Sequence, residues 1–415
     1  MVLALALSPV LSHYPWPRYH NNTELYAEWS QISKHCSALS LKKEATTADG
    51  WPLMTASYGH PKPGGTKKVN LMFVFGIHGR EYLGAEIGLA LMKTLCENDA
   101  RAKKLLAGAN FKFFPLMNPS GRAGNLPEKK ITGEHDEDCV LRRTNSRGVD
   151  LNRNFDEEWD SVEGNSAYPG PVDYRGPRPE SEIETKTLIK VGKEFMPDLY
   201  IDIHTGAFTQ LMPYSCNTTD LPESDMDRLS ALVQHAQSGG GHDSFTVQPE
   251  SGQGSKLLYV ATGSTMDFFY NTLRTPYAYT WETYDASIHA AQRAAARGAT
   301  ALDSLSEAPQ WVPDMPQMRE YVEARKKRLL ARGPLPPMNG AAPTPAHTVS
   351  ALQPEALAAD VRQAEGDVAA VQLMMDSCFA FYNPHTADSL EHYVNSWLEQ
   401  ILKASEYVIE NHPSR

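Results

Sequence analysis

His78-Gly79-Arg80-Glu81 sets an imidazole and a carboxylate three positions apart, directly after the apolar run 69–77 (VNLMFVFGI). Side chains at that spacing can aim from one turn of chain at a common point, as two donors to one metal ion must. Holding zinc with a position left for water takes a third donor, and His204, at the end of the apolar run 198–203, is the candidate. Glu282 follows another such run, 277–281, where a carboxylate is costly to bury without a partner. A lone His-x-x-Glu arises often by chance, and the competing reading of Glu81 is a solvated helix start favoured by the helix dipole.

The elements that would position these residues are legible as runs. VNLMFVFGI reads as a buried strand feeding a helix over 81–96, and 111–117 reads as a second strand stopped by Asn118-Pro119-Ser120-Gly121. Together with 198–203 and 277–281 they describe strands alternating with helices, an α/β sheet, in which working residues collect where strands end. Ser181-Glu182-Ile183-Glu184 fits a capping box and predicts a helix beginning at Ser181. Leu390, Val394, Trp397, Leu398, Ile401 and Val408 recur at helical spacing, predicting a long C-terminal helix over 387–409.

Between them the character changes. An Ala-rich stretch, a basic helical segment over 319–332 and a Pro/Gly/Ala run over 333–347 read as an insertion at 286–375 with an exposed linker. The expected organisation is an N-terminal segment 1–49, a catalytic unit 50–285, the insertion 286–375, and a returning part 376–415 that completes the catalytic unit. Composition narrows the function classes. Against 39 Lys and Arg stand 50 Asp and Glu, a net charge of −11 that repels phosphate backbones, so nucleic acid is not an expected partner. No apolar run approaches the roughly 20 residues of a membrane-spanning helix.

Longer strings carry a resemblance. GIHGREYLGAE (76–86), NPSGR (118–122), GVDLNRNF (148–155), YRGPRPESEIET (174–185), DIHTG (202–206), YVATGSTMDFFYN (259–271) and YTWE (279–282) make the chain resemble the zinc metallocarboxypeptidases of the carboxypeptidase A type, over about 50–285 and the final helix. The resemblance implies a mixed, mostly parallel eight-stranded sheet flanked by helices. It implies one zinc per chain, held by His78, Glu81 and His204. Two neutral imidazoles and one carboxylate leave the ion net positive, able to acidify a water. It assigns Glu282 as the catalytic base and Arg142 as the arginine that stabilises the oxyanion, with Arg143 adjacent and a slip of one residue left open. Asp150 would fix the tautomer of a ligand imidazole. Asn152 and Arg153 would grip the substrate's terminal carboxylate, Tyr259 would close over the substrate, and Arg80 would bind upstream substrate residues or else form a surface ion pair.

Met266, just before Asp267, would line the base of the pocket for the terminal side chain; uncharged and polarizable, it suits aliphatic or aromatic groups. The substrates implied are C-termini of peptides or proteins. The competing readings are an amidohydrolase acting on small acylated amino acids and a non-catalytic peptide-binding relative. Nothing before residue 50 is long enough for a folded inhibitory pro-domain, so zymogen control is not expected. The apolar start, 1–12, and two glycosylation triplets at Asn21 and Asn217 favour a secreted or endomembrane-lumen protein. The five cysteines look too scattered for a disulfide scaffold.

Overall fold

The strands predicted around His78, His204 and Glu282 are neighbours in one sheet. The computed structural model describes residues 19–59, 68–97, 99–123, 139, 142–161, 163–238, 245, 247–290, 319–324, 327, 378–384 and 386–412. Eight strands, β1 (Leu39–Thr46), β2 (Pro52–Tyr58), β3 (Val69–Phe75), β4 (Ala109–Phe114), β5 (Leu199–His204), β6 (Phe208–Met212), β7 (Glu250–Gln253) and β8 (Tyr277–Thr283), lie in the order β1-β2-β4-β3-β5-β8-β6-β7. β4, β3, β5 and β8 are mutually parallel, β1 and β2 form an antiparallel edge, and β6 runs antiparallel to β8 with β7 parallel beside it.

Strand period sorts the core onto two faces. On β5, Leu199, Ile201 and Ile203 join one buried cluster while Tyr200 joins the other; on β8, Tyr277, Tyr279 and Trp281 part from Ala278 in the same way. The first face is covered by α1 (Asn22–His35), α2 (Tyr82–Thr94), α3 (Ala100–Gly108), α5 (Glu223–Gln237) and α6 (Ala387–Asn411), the second by α4 (Ile183–Phe195) and the loops 151–155 and 265–269. His204 and Glu282 fall at the loop-covered end of that second face. Being parallel and covered on both sides, the central strands read as near-continuous apolar runs, which is why they were visible in the sequence.

Several boundaries differ from expectation. Residues 19–49 are no separate segment: Asn21 caps α1 in a capping box with Glu24, Leu25 and Trp29 enter the core, and β1 pairs with β2. Helix α4 begins at Ile183, two residues later than predicted, because the Ser181 hydroxyl donates to Glu182 Oε1 (2.7 Å) instead of capping. The packed core also continues past 285. Asp285 Oδ1 accepts from the Ser287 and Ile288 amides, and Ile288 packs into the first core cluster.

Of the expected insertion, Tyr321 and Val322 are buried in a cluster with Cys139, Cys378, Phe381 and Tyr382, so this part is docked rather than solvated. The linker 333–347 and the apolar start 1–12 lie outside the described residues. Four of the five cysteines pair, Cys36 with Cys96 and Cys139 with Cys378, while Cys216 is free and buried. The pairs join residues 60 and 239 positions apart, a proximity that spacing along the chain does not reveal. No helix among the described residues is long and apolar enough to cross a membrane.

Candidate active site

The turn after β3 needs two glycines to bring His78 and Glu81 inward. Gly76 has φ +65°, a left-handed conformation open to glycine, and reverses the chain. At Gly79 a Cβ would stand 2.2 Å from the Arg122 amide nitrogen and 2.7 Å from the Arg142 carbonyl oxygen, so only a bare Cα fits where NPSGR and the Arg142 turn close on it. Arg80 N donates to Arg142 O (3.1 Å), fastening the two turns together.

His204 is the last residue of β5, and in the parallel register it lies opposite Glu282 of β8. Donor atoms of His78, Glu81 and His204 all lie within 4.8 Å of one another, and all three residues are buried. His78 Nδ1 is 2.7 Å from Glu81 Oε1 and 3.1 Å from His204 Nδ1, and His204 Nδ1 is 3.3 Å from Glu81 Oε2.

The outer nitrogens decide what the inner ones can do. His78 Nε2 meets Asp150 Oδ1 at 3.1 Å and His204 Nε2 meets Asp202 Oδ2 at 3.0 Å. An ionised carboxylate only accepts, so the outer Nε2 of each ring faces an acceptor, and a neutral ring with its proton there would turn its Nδ1 lone pair inward. Arg143 Nη1, a pure donor 3.4 Å from His78 Nδ1, agrees with that tautomer. Two imidazole nitrogens and a carboxylate thus converge on one point, and two imidazoles with one carboxylate is a donor set that zinc takes.

Around this centre the charges are buried and paired. Asp150 is fully buried; burial alone would raise its carboxyl, but Arg143, His78 and Arg153 hold it well below the usual carboxylate range. Arg143 donates Nε and Nη2 to Asp150 Oδ2 at 2.9 and 2.7 Å. For Glu81 burial is likewise outweighed, by His78 and His204, and its carboxyl is lowered. Glu282 is the opposite case. Burial, only partly countered by His204, pushes its carboxyl up to about 7, and its Oε2 has no hydrogen-bond partner among the described residues.

The Asp150 carboxylate also caps the short turn Leu151–Arg153 by accepting from Asn152 N (2.9 Å), and Asn152 Oδ1 accepts from Thr265 N (2.8 Å). Arg153 is buried, gives Nη1 to Asn152 O (2.8 Å), and has an Nε without a partner among the described residues. Arg142 gives Nη1 to the Tyr82 hydroxyl, and its turn is tied by the Cys139–Cys378 disulfide through Arg142 N donating to Cys139 O. Tyr259 lines a cavity of about 480 Å³ with Leu258, Lys256 and Tyr321.

Met266 is wholly buried in the second core cluster, near Leu211 and Phe268 in that group, and behind it Asp267 accepts from the Ser215 and Cys216 amides. Arg80 is not at the surface: it is fully buried, its Nη2 donates to the Tyr382 hydroxyl (2.7 Å), and its guanidinium lies 4.1 Å from the Tyr382 ring centroid.

The zinc carboxypeptidase family model matches residues 25–296. The chain belongs to that family. It is 26% identical to carboxypeptidase B of Astacus astacus over 284 residues, 65% of this chain and 88% of that protein. It is 28% identical to mast cell carboxypeptidase A of Mus musculus over 261 residues, 61% of this chain and 60% of the mouse protein. Among solved structures the fold is similar to bovine thrombin-activatable fibrinolysis inhibitor in complex with tick carboxypeptidase inhibitor (TM-score 0.52, 22% identity, 65% of this chain and 87% of that one). It is also similar to carboxypeptidase A from Helicoverpa armigera (TM-score 0.52, 17% identity, 76% and 73%). Zinc carboxypeptidases use one zinc, and His78, Glu81 and His204 are the residues here that fit it.

Two features of this zinc carboxypeptidase site escape a reading of the sequence. Asp202 was legible in principle, since it precedes His204 by two positions in a strand and must share its face. Asn383 was not. Its Oδ1 accepts from the Tyr82 and Leu83 amides at the start of α2, and its Nδ2 donates to Arg80 O, from about 300 positions away along the chain.

Proposed function

We propose that the protein is a metallocarboxypeptidase that removes C-terminal residues from peptides or proteins, with a preference for hydrophobic or aromatic ends. The observation that carries the reading is Glu282: a buried carboxylate raised to about 7, with an oxygen unpartnered among the described residues, beside three converging metal donors. Zinc supplies a Lewis acid that lowers the pKa of a water and polarises the scissile carbonyl. Glu282 takes the proton of the attacking water at its free oxygen and passes it to the leaving amine.

Arg142 is the residue for the oxyanion, since Arg143 spends two donors on Asp150 whereas among the described residues Arg142 is engaged only through Nη1, by the Tyr82 hydroxyl and the Arg122 carbonyl. Asn152 and Arg153 hold the terminal carboxylate, which gives the cut its end specificity. Tyr259 closes over the substrate, and uncharged Met266 at the pocket base favours Phe, Leu, Tyr or Met over charged ends. The two disulfides fit an oxidising compartment and support a secreted or lumenal site of action.

Mass spectrometry of a peptide library incubated with the zinc-loaded protein tests the reading. Residues should be lost from free C-termini, and kcat/KM for C-terminal Phe or Leu should exceed that for Lys, Arg, Asp or Glu at least ~10-fold, the scale of one buried apolar side chain. C-terminally amidated peptides should resist. Equal rates on amidated and free peptides would overturn the exopeptidase assignment.

A further inference from the structure

Asp202 is a fully buried carboxylate that none of the assigned roles uses. A buried charge persists only with partners. Among the described residues, no lysine or arginine lies within ion-pair distance of it, and Oδ1 has no hydrogen-bond partner. Oδ2 has two partners, and both belong to the site: His204 Nε2 at 3.0 Å and the Thr265 hydroxyl, which donates at 2.7 Å. Thr265 in turn gives its amide to Asn152 Oδ1 (2.8 Å), and Asn152 Nδ2 lies 3.5 Å from His204 Nε2. Asp202, Thr265 and Asn152, from three separate segments, thus surround the outer nitrogen of His204.

We propose that Asp202 is a positioning residue that holds His204 in its metal-binding tautomer, and that the Thr265 hydroxyl fixes the Asp202 carboxylate from the start of the 265–269 segment. The strand supplies the geometry. Asp202 and His204 stand two apart on β5, on one face, so the carboxylate follows the ring at a separation set by the backbone. An aspartate accepting from the far nitrogen makes the near nitrogen a better donor and prevents the ring from turning. Thr265 adds a single donor that keeps Oδ2 from swinging away. The inference rests on the same metal site as the proposed activity, but it concerns how tightly the ion is held.

The test measures zinc dissociation constants by chelator competition, visible spectra of the cobalt-substituted protein, and melting temperatures, for wild type, Asp202→Asn, Thr265→Val and Thr265→Ser. Asp202→Asn should weaken zinc roughly 10- to 100-fold and shift the cobalt bands. Thr265→Val should weaken zinc several-fold, and Thr265→Ser, which restores the hydroxyl, should return it to the wild-type value. An Asp202→Asn protein that melts as wild type and binds zinc within twofold of it would overturn the proposal.

Should Asp202→Asn fail to fold, the threonine pair decides: equal zinc affinity for Val and Ser overturns it. Wild type that binds zinc yet cleaves no peptide would remove the carboxypeptidase reading and leave this one standing. Wild type that binds no zinc would remove both.

Discussion

The two halves of the metal centre are built by different means. His78 stands on a loop, three residues past β3, and is held by another loop: Asp150 binds its outer nitrogen while Arg143 neutralises Asp150. His204 and Glu282 stand on adjacent parallel strands in direct register, and Asp202 shares their strand layer without an arginine partner among the described residues. The loop side therefore depends on a buried ion pair between two parts of one loop region, the strand side on backbone pairing and the Asp202 hydrogen bonds. Charge removed from Asp150 strands the Arg143 guanidinium, whereas charge removed from Glu282 strands no arginine or lysine among the described residues. Stability and chemistry are expected to separate along this line.

The largest effect belongs to the strand side and is chemical. Glu282→Gln keeps the shape but cannot accept a proton, so turnover should fall on the order of 10²- to 10⁴-fold, with zinc content unchanged. Steady-state kinetics alongside metal analysis checks this, and a wild-type rate would exclude Glu282 as the base.

On the loop side the expected effect is structural. Asp150→Asn leaves the buried Arg143 guanidinium without its carboxylate and should cost about 3–5 kcal/mol in urea unfolding. Asp150→Asn combined with Arg143→Met, which removes the stranded charge, should recover part of that loss. A single-variant cost below about 1 kcal/mol would mean that the ion pair is not what secures the loop.

A third expectation runs against intuition and sharpens the contrast. In the metal-free protein Glu282 titrates at about 7 instead of 4.5, so between those values the folded state binds more protons than the unfolded chain. Its contribution to stability is whole below the lower value and is lost as pH climbs through the upper one. Glu282→Gln cannot titrate, so above pH ~7 the metal-free variant should be more stable than wild type by on the order of 2–3 kcal/mol, with the gain gone at acid pH. Urea unfolding in chelator at several pH values measures it. A variant no more stable than wild type at alkaline pH would show that Glu282 is ionised at little cost.

The apolar runs around His78, His204 and Glu282 were readable in the sequence because strands covered on both faces must be apolar almost throughout, which makes the few polar residues at their ends conspicuous. His-x-x-Glu was readable because its two donors share one turn. The 3.6-residue repeat of α6 survived because the helix packs on one side only, with Trp397, Ile401 and Val408 buried. These are local patterns, and local physics imprints them on neighbouring positions.

What the tertiary structure alone decided is everything joined across distance. Cys139 meets Cys378, Asn383 caps α2 and Tyr382 encloses Arg80, bringing the segment beyond the insertion against the site. Strand β1, within the expected N-terminal segment, became the edge of the sheet. Which of Arg142 and Arg143, adjacent and chemically identical in the sequence, pairs with the buried Asp150 was set by the packing, and it is Arg143. A carboxylate's partners depend on what the fold packs against it, and burial makes that choice energetically large. Neither is written in the spacing of residues along a chain.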